Sequence, residues 1–154
     1  MATEIERKFL VTGGGWREGA RCAPCRQGYL CAGQKASVRV RVMGEEAWLT
    51  IKEAAQGASR AEFEYAIPVA DAHQMLDTLC EGRIIEKTRY WVEHEGKEWE
   101  VDVFGGENAP LVIAEIELDD AAEAFVRPPW LGEEVTRDKR YYNASLSRRP
   151  YASW

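Results

Sequence analysis

The sequence predicts a mainly β fold, α+β in detail. About eight antiparallel strands close into a barrel, with helices packed outside it and at the C-terminus. Charge recurring at every second position is the first of three observations behind this. Glu4, Glu6 and Lys8 share one face of a strand, as do Arg39 and Arg41, Glu62 and Glu64, Lys87 and Arg89, Glu100 and Asp102, and Glu115 and Glu117. Side chains two apart in a strand point the same way, so each strand has a charged face and a mostly apolar one. The second is that the strands are short and joined by hairpin-length loops, many with glycine, as in an antiparallel meander. The third is that both signs crowd the charged face and like charges sit together, which cross-strand salt bridging would avoid. A closed sheet around a charged channel accounts for this pattern.

The elements follow in order. Residues 2–11 read as a strand, broken by Gly13, Gly14 and Gly15. Residues 26–32 form the next, through Gln27-Gly28-Tyr29-Leu30. Gly33 turns into a strand at 37–43, and Gly44 into one at 47–53. In the latter Leu49 and Ile51 face one way, and Trp48, Thr50 and Lys52 the other. A glycine-containing loop at 56–59 leads to a strand at 60–68. The period then changes: Ala72, Met75, Leu76, Leu79 and Cys80 recur at helical spacing. Asp71 and Gln74 have capping-box spacing, and Gly82 stands where a helix C-cap glycine belongs. This helix is expected across the outside or one mouth of the sheet. Strands resume at 84–95, turn at Gly96, and return at 97–104. Gly105-Gly106 opens a loop before the last long strand at 111–118. Residues 120–134, with Pro128-Pro129, read as irregular. A final helix is expected near 138–147, with Tyr141, Tyr142 and Leu146 on its apolar side and Pro150 ending it.

No internal repeat or linker is evident, so residues 1–154 are expected to form a single domain. The strands are expected to run up and down around the barrel. Ile5, Phe9, Val40, Leu49, Ile51, Phe63, Val101, Val103 and Ile116 would face outward, against helices or a second subunit, which makes a homodimer an expectation.

The chain of 154 residues is 45% hydrophobic and 30% charged, enough apolar content for a core, and its net charge is -6. Bulk attraction to nucleic acid is excluded on that charge, so an anion site must be a local basic cluster. No apolar run reaches the length of a membrane span, and the first residues lack the basic and apolar regions of a signal peptide. A cytoplasmic location is the expectation. Cys22 and Cys25 have C-x-x-C spacing, but a zinc site takes four ligands, and His73 and His94 lie far off. Free thiols are expected, or an adventitious disulfide between those two. Gly13–Gly15 is not a phosphate loop, because no Lys-Ser/Thr follows it. The six tryptophans read as core or rim residues, and both histidines as surface residues.

Charges buried in a channel need partners or a ligand. Lys8, Arg39, Arg41, Lys52, Lys87 and Arg89 form a basic set suited to the oxygens of a linear polyphosphate. Glu4, Glu6, Glu62, Glu64, Glu100, Asp102, Glu115 and Glu117 form an acidic set suited to Mg²⁺ or Mn²⁺. Together, with no serine or histidine constellation, they point to metal-assisted phosphoryl or nucleotidyl chemistry. Cross-strand salt bridges on a wet face are the simpler explanation of any single pair. That explanation weakens with each strand that repeats the pattern.

The run Glu4-Ile5-Glu6-Arg7-Lys8-Phe9-Leu10 resembles the E-x-E-x-K signature of the CYTH superfamily, the triphosphate tunnel metalloenzymes. The similarity extends along the chain through Val38-Arg39-Val40-Arg41, Leu49-Thr50-Ile51-Lys52, Glu62-Phe63-Glu64-Tyr65, Lys87-Thr88-Arg89-Tyr90, Glu100-Val101-Asp102-Val103-Phe104 and Ala114-Glu115-Ile116-Glu117-Leu118. It is strongest to the bacterial inorganic triphosphatase branch. The resemblance implies an eight-stranded tunnel that hydrolyses tripolyphosphate to Pi and PPi with a divalent metal. Related members act as class IV-type adenylyl cyclases or as thiamine or nucleoside triphosphatases. A non-catalytic polyphosphate- or nucleotide-binding module is the alternative of another class. By the resemblance, Lys8, Arg39, Arg41, Lys52, Lys87 and Arg89 would bind phosphate. Glu4, Glu6, Glu115 and Glu117 would bind metal, with Glu62, Glu64 and Asp102 as further candidates. It also implies a water-activating pair at Lys8 and Tyr29. A Lys8 amine among other cations would have a lowered pKa, as a base near neutral pH requires. One of Arg137, Lys139 and Arg140 would reach into the tunnel.

Overall fold

The computed structural model describes residues 2–54 and 58–154. Eight antiparallel strands close into a barrel: β1 (Ala2–Val11), β2 (Arg21–Ala32), β3 (Ala36–Met43), β4 (Glu46–Glu53), β5 (Ser59–Ala66), β6 (Glu81–His94), β7 (Lys97–Phe104) and β8 (Val112–Glu117). Around the barrel the order is β1, β5, β4, β3, β2, β6, β7, β8 and back to β1. This is not the simple up-and-down order expected. Helix α1 (Val69–Thr78) carries the chain from β5 back to the far edge of β2, so two meanders meet there, and β1 is the joint between their other ends. Loop lengths alone do not reveal that crossover. Part of the loop expected at 56–59 lies outside the described residues.

A ninth strand, β9 (Leu131–Glu134), falls in the stretch expected to be irregular. Its sequence, Leu-Gly-Glu-Glu, carries no alternation. Tertiary pairing makes it a strand: β5 leaves β1 after Ile5, and β9 takes the vacated edge at Phe9 and Val11. Strand β2 starts five residues earlier than expected and absorbs Pro24. Pro24 pairs with β6, while the β3 ladder begins only at Cys25, so the missing N–H costs little there. All four cysteines are free thiols, with Cys22 exposed and Cys25 buried on the opposite face of the strand.

Helix α1 packs Ala72 and Leu76 against Val40, Val42 and Ala47 on the outside of β3 and β4. Its N-cap is Pro68 with no side-chain cap, so Asp71 and Gln74 form no capping box. Asp71 sits in the first turn, where its charge favours the helix dipole. Leu79 ends the helix exposed rather than buried. Gly82 is not a helix cap but part of β6 at φ 70, where an added Cβ would lie 2.8 Å from the Ser147 carbonyl oxygen. That glycine lets the C-terminal segment approach the barrel.

The expected final helix is divided. A 3-10 turn at Lys139–Tyr141 is capped by Asp138, which accepts from the Arg140 N–H. Tyr142 is extended, and α2 (Asn143–Arg148) follows. Leu146 of α2 packs with Tyr29, Ile85, Phe104, Leu111 and Ile113, with Leu10 against them. These strand residues share the faces of the charged side chains, so this apolar cluster fills one end of the barrel interior. A separate outer cluster of Phe9, Trp16, Val92, Trp99, Val101, Ala114, Ile116 and Leu118 is covered by Phe125 and Trp130. Phe63, expected to face outward, does so with Tyr65, and both remain exposed. No helix of the described residues is long and apolar enough to cross a membrane.

Candidate functional site

Above the apolar plug the barrel encloses a cavity of about 210 Å³. Strand register decides what lines it. Glu6 pairs with Glu117 and Lys8 with Glu115 across β1 and β8, and Glu115 pairs with Glu100 on β7. On the other side Glu4 faces Arg60, Lys52 faces Glu62, and Thr50 faces both Arg39 and Glu64. Of the residues expected inside, Glu4, Glu6, Lys8, Tyr29, Arg39, Arg41, Lys52, Glu62, Glu64, Lys87, Arg89, Glu100, Glu115 and Glu117 all line the cavity.

Asp102 does not. It is 1% exposed and turned toward two cations. Arg89 donates to it through Nε at 2.8 Å and Nη2 at 2.9 Å, and Lys87 through Nζ at 2.7 Å. Its carboxyl is held well below the usual range: burial pushes it up, but Arg89 and Lys87 together outweigh that. Asp102 therefore anchors Lys87 and Arg89 rather than facing the cavity. Burial and the nearby Arg89 push the Lys87 ammonium down to about 8, against the pull of Asp102.

Lys8 also departs from expectation. It donates to Glu115 at 2.9 Å and Glu6 at 3.0 Å. Burial lowers its pKa, but these two carboxylates overcome that and raise it above the ordinary lysine value. The alternation in β1 showed carboxylates on its own face, and the β8 register adds a third. Among the described residues no hydrogen bond joins Lys8 to Tyr29; the Lys8 ammonium lies 5.8 Å from the centroid of the Tyr142 ring. Tyr29 is buried in the interior apolar cluster, and burial raises its pKa.

On the acidic wall, Lys52 donates to Glu4 Oε1 at 3.0 Å. It also lies 2.9 Å from Oε2, out of line for a hydrogen bond, so Oε2 has no hydrogen-bond partner. Burial and the neighbouring Glu6 raise Glu4 to about 7 despite Lys52. Burial raises Glu100 and Glu117 as well, with Glu115 adding at Glu100, and Glu100 and Glu6 adding at Glu117. Glu6 is held low because Lys8, Lys52 and Arg60 outweigh its burial. On the basic wall, Arg41 donates to Gln27 at 2.9 Å, and Arg39 donates to Thr50 at 3.3 Å while its buried Nε has no partner. Burial and the neighbouring Arg39 and Arg89 lower Arg41 to about 10. On each wall one buried atom thus makes no hydrogen bond: Glu4 Oε2, which is ion-paired with Lys52 and Arg60, and Arg39 Nε.

Oxygen-only donors, with burial raising Glu4, Glu100 and Glu117, fit a hard divalent cation. Among the described residues no three of them already converge at metal-ligand spacing. Lys8, Lys52 and Arg60 lie between them.

Residue-by-residue reading missed Arg60, Gln27, Ser37, Tyr142 and Asn143. Arg60 was legible, since it continues the face of Glu62 and Glu64. Gln27 was likewise on the face of Tyr29. Asn143 accepts from Lys87 at 3.0 Å and Gln27 at 2.9 Å, and only the folding back of α2 places it there. Arg137, Lys139 and Arg140 are all exposed, and none lines the central cavity.

A family model described as the CYTH domain matches residues 2–151. The chain is 48% identical over 154 residues to an inorganic triphosphatase of Acetivibrio thermocellus, covering 100% of this chain and 99% of that one. It is 45% identical over 150 residues to an inorganic triphosphatase of Nitrosomonas europaea, covering 94% and 97%. Among solved structures, the crystal structure of the inorganic triphosphatase NE1496 superposes with a TM-score of 0.69 at 42% identity, covering 96% of this chain and 95% of that chain.

Proposed function

The chain belongs to the CYTH domain family, and we propose that it hydrolyses inorganic tripolyphosphate to Pi and PPi inside its tunnel with Mg²⁺ or Mn²⁺. One observation carries this reading: the barrel register brings a basic wall and an acidic wall to a single cavity, each holding buried charged groups. A polyanion bridged to a divalent cation satisfies both walls at once. Binding of an anion alone leaves the acidic wall unexplained, which disfavours a passive binding module.

Arg39, Arg41, Lys52, Lys87 and Arg89 grip the phosphate oxygens, and Lys8 reaches the chain from the acidic side. Glu4, Glu6, Glu115 and Glu117 would hold the metal, with Glu62 and Glu64 beside them. The bound metal supplies charge neutralisation for the phosphoryl group and a site for the attacking water. Asp102 and Asn143 fix Lys87, Asp102 also fixes Arg89, and Gln27 fixes Arg41, so the cations are aimed before substrate arrives. Water attacks a terminal phosphorus, the phosphoanhydride P–O bond breaks, and PPi leaves with the bond electrons. With Lys8 protonated between two carboxylates, it serves first as a charge clamp. A base role for the Lys8–Tyr29 pair requires those carboxylates to turn away.

Inorganic substrate is favoured over nucleotides because, among the described residues, Tyr29 and Tyr142 are the aromatic residues lining the cavity, and neither pairs with another ring as a base clamp. The acidic net charge supports a role without nucleic acid. A cytoplasmic location and a single domain across residues 1–154 are part of the same proposal, and the exposed Phe63 and Tyr65 support a homodimer. Phosphate release from tripolyphosphate, ATP, GTP and thiamine triphosphate, each with Mg²⁺ or Mn²⁺, tests the reading. It predicts the fastest release from tripolyphosphate. Dominant cyclic AMP formation from ATP points to the cyclase, and tight binding without turnover to the module.

A further inference from the structure

Arg60 stands in the way of the proposed metal. Its Nη2 donates to Glu6 at 3.2 Å and its Nε lies 3.5 Å from Glu4. These contacts are long and split between two carboxylates. Arg89 on Asp102, by contrast, is a two-pronged fork at 2.8 and 2.9 Å. Arginine binds carboxylate best as such a fork, so Arg60 holds its partners loosely. Lys8 is boxed between Glu6 and Glu115, whereas Arg60 borders open space on two sides. It also lines a second cavity of about 330 Å³ beside the tunnel, together with Ser37, Glu53, Lys139 and Tyr142. Its guanidinium carbon lies 5.7 Å from the Tyr142 ring centroid, at the boundary of the two spaces.

We propose that Arg60 is a displaceable counter-ion. Without ligands it neutralises Glu4 and Glu6; when those carboxylates take a divalent cation, it swings to the phosphate chain, so metal and triphosphate bind as a coupled pair. The inference rests on the assignment of Glu4 and Glu6 as metal ligands. Metal binding alone takes Glu4 and Glu6 away from Arg60 and sets a second positive charge beside it, which disfavours it. A triphosphate in the tunnel gives Arg60 new oxygens. By linkage each ligand then strengthens the other equally.

The test is Mn²⁺ binding, followed by electron paramagnetic resonance, with and without a non-hydrolysable imido-bridged triphosphate. Wild type and Arg60→Gln are compared, after melting curves confirm that the variant folds. Arg60→Gln is expected to bind Mn²⁺ alone about fivefold or more tighter than wild type, and to gain less from the analogue by a similar factor. Arg60→Lys, which keeps the charge, is expected to retain most of the coupling. Equal tightening with and without the analogue would mean that Arg60 only repels the metal at a distance, and overturns the proposal. Unchanged or weaker Mn²⁺ binding by Arg60→Gln overturns it too. If wild type binds no Mn²⁺ under either condition, the metal assignment itself fails, which is a distinct result.

Discussion

Replacing Asp102 with asparagine removes one charge from a cluster of three. In the native protein the carboxylate accepts from Lys87 and twice from Arg89, and the Lys87 and Asp102 side chains are each 1% exposed. Breaking a buried ion pair by removing one partner costs about 3–5 kcal/mol, because the remaining charge is left uncompensated. Two features decide where in that range this variant falls. Lys87 is already pushed down to about 8, and without Asp102 it falls further and sheds its proton. Arg89 cannot do so, but keeps Glu100 at 2.8 Å. The loss should therefore sit near the lower end, about 3 kcal/mol. For a domain of this size that is a fall in melting temperature of about 6–12 °C, read by calorimetry or circular dichroism. Tripolyphosphate, which neutralises the same cations, should restore more stability to the variant than it adds to wild type. A melting temperature within about 2 °C of wild type, together with a large loss of metal affinity, would refute the reasoning and return Asp102 to the metal site.

Glu117→Gln or Glu6→Gln should abolish metal-dependent turnover while leaving tripolyphosphate binding measurable by calorimetry; wild-type rates at limiting metal would remove them from the metal site. Arg39→Ala or Arg41→Ala should weaken tripolyphosphate binding by about 1.5–3 kcal/mol, the value of a charge-assisted hydrogen bond. Lys8→Met and Tyr29→Phe separate clamp from base. A water-activating pair predicts kcat losses of about 10²–10⁴ for each, with little more in the double variant. The ligand-free geometry predicts a large loss for Lys8→Met alone. The Glu4 carboxyl, at about 7 when folded, binds a proton more readily than in the unfolded chain. Its contribution to stability is thus present at low pH and is lost as pH rises toward 7 and above. Melting wild type against Glu4→Gln from pH 5 to 8 should show wild type losing ground as pH rises; a constant difference would mean that Glu4 titrates normally.

Alternation at period two made the barrel strands and nearly the whole lining legible, because parity in a strand fixes which face a side chain takes. Parity carries no information on what lies across the barrel. The same pattern that placed Lys8 inside therefore gave the wrong sign for its pKa, since Glu115 reaches it only through the β1–β8 register. It also placed Asp102 inside without showing that Lys87 and Arg89 enclose it. Elements set by tertiary closure were the hardest to read. Strand β9 exists because β1 has a free edge, and Asn143 reaches Lys87 because α2 plugs the barrel end. The capping spacing at Asp71 was overridden by Pro68, whose extended backbone starts the helix earlier.

The central claim is that two charged walls in one tunnel cleave a metal-bridged tripolyphosphate. Phosphorus NMR of tripolyphosphate incubated with the protein tests it most directly, with Mg²⁺ or Mn²⁺ present and with chelator instead. Tripolyphosphate should disappear only with metal, giving Pi and PPi in equal amounts, and Glu117→Gln should leave it intact. Cleavage that persists in chelator, or tripolyphosphate that survives while ATP is converted, would contradict it.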